Sequence, residues 1–321
     1  MERVGSHDPL VGWNPVTMTS QEAQAYCTAL AKRSGSNFYY SFFFLPPDRR
    51  DAMHAVYAFC REVDSVVDEP EPGSNPHDRL ARWREELASL YRTERSTVAP
   101  PVEALSPVMT CLRGHIRRLG IPREYFDDII AGVAMDLTIK RYATFRDLYQ
   151  YCYRVASAVG LVCLKIFGAR TPEAQTYAIN LGVAFQLTNI LRDLRTDGAC
   201  GRIYLPMEDL TRFGHSEQDL LAGAYTAAFV NLMEFECRRA QEYYRAAEAA
   251  LPEADRRALV PAEIMRAIYH TILDRIEACR YRVFSQRITL SPPHRLAVAL
   301  KAWLACRLSG RRSTPAGLAA R

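Results

Sequence analysis

Two short polar stripes on otherwise apolar helical segments restrict the possible folds of this chain more than any other feature. Tyr57, Arg61, Asp64 and Asp68 follow one another at steps of four, three and four, and Gln186, Asn189, Asp193 and Asp197 at steps of three, four and four. At 3.6 residues per turn, each set lies along one helix face. Val56, Phe59, Cys60, Val63 and Val67 surround the first stripe, and Val183, Phe185, Leu187, Ile190 and Leu191 the second. Carboxylates on helices that bury their other faces are costly to desolvate unless paired or bound to a cation. Asp64/Asp68 and Asp193/Asp197 are also the only places where one Asp follows another by four. The pattern calls for a helical bundle in which the two stripes face each other across the interior.

The remaining periodicity agrees with an all-α fold. Helices are expected at 20–33, with Ser20 as cap, and at 77–93, 103–119, 122–135, 145–168, 172–195, 216–250, 261–279 and 292–308. Pro46 and Pro47 open the helix of the first stripe, and Pro70, Pro72 and Gly73 close that region. Little strand-like alternation is present. Without a Gly/Ser linker or repeat, 321 residues are expected to form a loose leader over 1–18, one catalytic domain over 19–290, and a C-terminal helix with a basic tail over 291–321.

Oxygen-only donor sets suit Mg2+, a hard cation that is commonly held by one or two carboxylates together with substrate phosphates. The seven His are scattered and the nine Cys form no C-x-x-C, which argues against zinc and iron–sulfur sites. Arg61, Arg192, Arg195 and Arg202 lie beside the acids and suit phosphate oxygens. The implied ligand is a diphosphate bridged by Mg2+. A net charge of +5 is too mild and dispersed for nucleic acid. Unpatterned cysteines without a secretory signal point to the cytoplasm. The basic, apolar stretch 296–312 suits either a packed terminal helix or peripheral contact at the inner face of a membrane.

Four passages, SNFYYSFFFLP at 36–46, YAFCREVDSVVDE at 57–69, RYATFRDLYQYCYRVASAVG at 141–160 and QLTNILRDLRTDGACGRIYLP at 186–206, resemble the squalene/phytoene synthases. The resemblance spans about residues 20–290 and is nearest to bacterial presqualene diphosphate synthases. It implies an isoprenoid-synthase helical bundle with a central cavity. Asp64, Asp68, Asp193 and Asp197 match the motifs that hold two or three Mg2+, with Asn189 a further ligand. Arg61, Tyr57, Arg192, Arg202 and Tyr204 match diphosphate contacts, and Gln186 a polar residue of the site. Tyr151 matches a tyrosine in the proton or cation chemistry, and Val155 a pocket-lining residue. Phe38 belongs to the aromatic wall with Phe42 and Phe185, and Arg282 matches a further phosphate contact. Departures are Asn37, where relatives carry Ser, Ser65 in place of an acid, and the uncharged Gly198-Ala199-Cys200, which is expected to loosen the flap ahead of Arg202.

The resemblance implies Mg2+-dependent head-to-head condensation of two farnesyl diphosphates to presqualene diphosphate, which downstream squalene-pathway enzymes then consume for squalene or hopanoid synthesis. Alternatives are phytoene synthase acting on two geranylgeranyl diphosphates, a full squalene synthase, and a non-catalytic scaffold relative. NADPH is not expected, although the missing G-x-G-x-x-G motif does not exclude it.

Overall fold

Prolines and small polar caps divide the chain into helices. The structure, a computed structural model, describes residues 18–69, 71–92 and 105–309. In chain order the helices are α1 (Ser20–Arg33), α2 (Asn37–Phe42), α3 (Pro47–Asp68), α4 (Pro76–Leu90), α5 (Pro107–Leu119), α6 (Arg123–Thr138), α7 (Phe145–Cys152), α8 (Ala158–Phe167), α9 (Pro172–Ala199), α10 (Met207–Phe213), α11 (Glu217–Leu221), α12 (Ala227–Ala249), α13 (Val260–Ala278) and α14 (Pro292–Ser309). A π-helical turn, Tyr153–Ser157, joins α7 to α8 without a break. Among the described residues the only strand-like pairing is an isolated parallel bridge between Arg141 and Ile203. The protein is all-α.

Several boundaries differ from the sequence expectation for local reasons. The cap of α1 is Thr19, not Ser20; its hydroxyl accepts from the Glu22 amide while the Glu22 carboxylate accepts in return. The helix expected over 216–250 is two helices, because Gly223 takes a left-handed φ of 68° and Thr226 caps α12 afresh. The expectation also missed α2 and α10, which are too short to show a period. Of the leader, residues 1–17 lie outside the described residues, as does the tail 310–321.

The long helix α9 packs against α12, α13, α8 and the π turn, and α3 packs against α1, α5, α6 and α8. Val56, Phe59 and Val63 on α3 and Val183, Leu187, Ile190 and Leu191 on α9 are buried in one continuous apolar core. Burial of those faces fixes how each helix is turned about its axis, and with it the direction of the polar stripe.

Candidate active site

A cavity of about 390 Å³ lies between α2, α3, α8, α9, α13 and the π turn. Its inner wall is apolar, with Met53, Val159, Phe167, Leu181 and Met265. Its polar side carries Tyr57, Arg61 and Asp64 from the first stripe and Gln186 and Asn189 from the second. Phe38, Phe42, Phe185 and Val155 are also on the wall. Phe185 stacks on Tyr269 with ring centroids 4.5 Å apart. An apolar chamber with one charged side suits a long hydrocarbon with an anionic head.

The remaining acids of the stripes continue outward from that polar side. Arg202 spans the two stripes: its Nη1 donates to Asp68 Oδ1 at 2.8 Å, while its backbone amide donates to the carbonyl of Asp197 at 2.9 Å. Arg192 forms a two-pronged ion pair with Asp193. Arg61 pairs with Glu69 at 2.5 Å. Of the arginines placed at the site by the sequence, Arg61, Arg192 and Arg202 therefore each hold a carboxylate, whereas Arg195 donates to the Phe284 carbonyl at 3.1 Å. Arg282 is exposed and lies over the Tyr225 ring, 4.6 Å from its centroid, outside the residues that line the cavity.

Burial, and then repulsion by the partner Asp one turn away, raises the carboxyl of Asp64 from its ordinary 3.8 to about 7 and does the same to Asp197. The opposing arginines offset this only in part. Sites with this much frustrated negative charge are poised for a cation. Asn189 adds an independent sign, since its Oδ1 is buried without a partner while its amide nitrogen donates to Gln186 at 3.3 Å. Asn37 likewise leaves a buried Oδ1 unpartnered. Both amides sit by the hydroxyl of Tyr269, a residue the sequence reading did not single out. Among the described residues no three acidic, His or Cys side chains converge on one point. Any metal held here must take part of its coordination from water or a substrate's phosphate oxygens.

Beneath the acids lies a hub that the sequence did not reveal. Asp136, buried on α6, accepts from the Tyr151 hydroxyl at 2.9 Å and from the Tyr204 hydroxyl at 2.8 Å. The two phenols are 3.3 Å apart and their rings stack, with centroids 5.0 Å apart. Burial raises the Asp136 carboxyl, partly offset by these two donors and by Arg202. Burial and the adjacent Asp136 charge raise the Tyr151 phenol well above its ordinary value. Tyr151 and Tyr204 are thus held as neutral, oriented donors behind the cavity wall. Asp136→Asn removes one of two acceptor oxygens and should lower stability by about 1–3 kcal/mol through the phenol left unsatisfied. A melting temperature equal to that of the parent would show that water replaces the lost acceptor.

The flap ahead of Arg202 is more firmly held than its composition suggested. Gly198 and Ala199 extend α9, and Gly201 makes the turn at φ 72°. Arg141 then ties the turn down, donating to the Gly201 carbonyl at 2.6 Å and pairing with Glu217.

Comparison with known proteins places this fold among relatives. Residues 31–294 match the squalene/phytoene synthase family model. A 15-cis-phytoene synthase from Synechocystis is 37% identical over 296 residues, covering 88% of this chain and 85% of the relative. A phytoene synthase from Arthrospira platensis is 36% identical, covering 84% and 88%. A ligand-bound dehydrosqualene synthase superposes with a TM-score of 0.77 at 27% identity, covering 90% of this chain and 98% of the other. Squalene synthase HpnC from Alicyclobacillus acidocaldarius superposes with a TM-score of 0.72 at 27% identity, covering 83% and 97%.

Proposed function

This chain belongs to the squalene/phytoene synthase family, and on that premise we propose that it joins two allylic prenyl diphosphates head to head, using two C20 geranylgeranyl diphosphates as a phytoene synthase does. The observation that carries the condensation is the pair of acid stripes on α3 and α9 beside one apolar cavity. The C20 preference rests on the relatives at 37% and 36% identity, which are named phytoene synthases. Farnesyl diphosphate, giving presqualene diphosphate, is the second reading. It is favoured by the structural likeness to dehydrosqualene synthase and HpnC.

Asp64, Asp68, Asn189, Asp193 and Asp197 form the oxygen-only donor set that would hold Mg2+, and the unpartnered Oδ1 of Asn189 fits a ligand position. Mg2+ bound there would neutralise a diphosphate and make it a competent leaving group. Arg192 and Arg202 already hold Asp193 and Asp68 and Arg61 holds Glu69, and all three can turn to the diphosphate oxygens as the acids take up the cation. Phe38, Phe42 and Phe185 line the cavity, where aromatic rings can stabilise an allylic cation without trapping it. The apolar wall keeps out water that would quench it. Ionisation breaks one C–O bond. The C2=C3 double bond of the second substrate then attacks, and loss of one proton closes a cyclopropane that still carries the second diphosphate; in the phytoene reading that diphosphate leaves in turn, the ring opens and a second proton is lost. The departing diphosphate is the favoured proton acceptor, because the Tyr151 proton is committed to Asp136 and a neutral phenol is a poor base.

Purified protein supplied with Mg2+ and equal amounts of C15 and C20 diphosphates should yield C40 products by mass spectrometry, with or without NADPH. Predominant C30 products would replace the C20 reading with the farnesyl one. No turnover of either substrate, together with no thermal stabilisation by Mg2+ plus diphosphate, would end the enzymatic reading.

A further inference from the structure

The terminal helix α14 packs against α13 and α2 through one face. Ala299 is fully buried, Val298, Ala302 and Trp303 join the core, and Trp303 lies against Phe44 at 5.8 Å. Its opposite face is unusual for a soluble surface. Leu296, Leu300, Leu304 and Leu308 are 51%, 47%, 47% and 63% exposed. At about 100° per residue the four fall within an arc of about 120°, with Arg307 inside one edge and Lys301 just beyond the other.

Charge identifies what such a face would meet. From 278 to the end of the chain the sequence holds eight Arg and one Lys and neither Asp nor Glu. Since the whole chain is +5, the preceding residues carry −4, so the positive charge is concentrated in this segment of the sequence, and α14 itself carries Arg295, Lys301 and Arg307 with no acid. Among the described residues none of these cations pairs with a carboxylate. Arg295 donates to the Gly35 carbonyl, Arg307 lies over Trp303 and Arg282 over Tyr225. A second copy docking here would press this cationic surface against itself and meet mutual repulsion. An anionic bilayer offers acyl chains to the leucines and phosphates to the rim.

We infer that the leucine face of α14, with its cationic border, docks the protein on an anionic lipid surface. The helix lies flat on that surface and does not cross it, since no helix among the described residues is long and apolar enough to span a membrane. Because α14 backs α2 and α13, and these supply Phe38, Phe42, Pro261 and Met265 to the cavity wall, docking brings the apolar chamber close to the bilayer. The inference does not depend on which prenyl diphosphate is used.

Flotation of the full chain with vesicles tests it. The protein should float with phosphatidylcholine vesicles that contain phosphatidylglycerol, stay behind with phosphatidylcholine alone, and be released by salt. Leu300→Ser/Leu304→Ser should lower binding about tenfold, with an unchanged melting temperature and unchanged turnover of detergent-dispersed substrate. Leu296→Ser/Leu308→Ser serves as a second pair, and Lys301→Gln should weaken the dependence on anionic lipid. Failure of the parent to float with anionic vesicles, or undiminished flotation of both leucine pairs, would overturn the inference. So would light scattering that shows a dimer dissolved by the same substitutions, because the face would then be covered by a second copy.

Discussion

Asp64→Asn is expected to lose about a thousandfold in kcat/KM and yet to melt at a higher temperature than the parent when no metal is present. The two effects share one cause. Burial, and then Asp68, hold the Asp64 carboxyl near 7 in the fold, against an ordinary 3.8 in the unfolded chain. A raised acid favours the folded state fully below about pH 4, and that contribution is lost as the pH climbs to about 7. Above pH 7 the metal-free protein carries the full cost of an ionised, poorly solvated pair. Asn has no such titration, so its advantage should grow from about pH 4 to about pH 7 and level off above that. Loss of one carboxylate ligand to Mg2+ removes several kcal/mol of charge stabilisation at the leaving group, and each 1.36 kcal/mol is tenfold in rate. Asp197→Asn should behave alike, since the same two causes act on it. Near-parent activity, or a lower melting temperature at pH 8 without metal, would show that Asp64 is an ordinary solvated acid and no part of the site.

The acid stripes could be found in the sequence because each is written within twelve consecutive residues at helical spacing, on helices whose other faces are apolar. The burial of those faces, and so the direction of the stripes, follows from local pattern alone. The Asp136 hub could not be found this way. Tyr151 and Tyr204 lie 15 and 68 positions from Asp136, and an acid among apolar residues on α6 looks the same whether it meets two phenols or water. Tyr269, brought to Asn37 and Asn189 by the packing of α13 on α2 and α9, is hidden for the same reason. The break between α11 and α12 was missed although the buried positions mark it: Phe229 follows Leu220 by nine residues, about half a turn out of phase at 100° per residue, so the apolar spacing does not run on through the turn at Gly223. The π turn left no trace in its own residues. Its sign is in two distant glycines, Gly132 on α6 and Gly182 on α9, which have room for no side chain because the turn's backbone and side chains lie against them.

Gly182→Ala should therefore destabilise the protein although it improves a helix. An added Cβ would lie 2.5 Å from Ser157 Cα and 2.6 Å from its amide nitrogen, and no side-chain rotation relieves contact with backbone. Ala gains about 0.5–1 kcal/mol over Gly in a helix interior, whereas overpacking costs about 1–3 kcal/mol; with main chain on both sides of the contact, the net expectation is a loss of about 2 kcal/mol. The π turn must then shift away from α9, carrying Val155 and Ala156 of the cavity wall and straining the Ser157 hydrogen bond to the Ile179 carbonyl. Displacement of a substrate-facing wall by a fraction of an ångström should lower kcat/KM by about tenfold or more. Gly114→Ala is the matched control: it sits on the exposed side of α5, where an added Cβ meets nothing within 4 Å, so it should raise stability by about 0.5–1 kcal/mol. The same chemical change is thus expected to move the melting temperature in opposite directions at the two positions. If both rise together, α9 and the π turn do not approach each other closely in solution, and the turn owes its extra residue to something other than this contact.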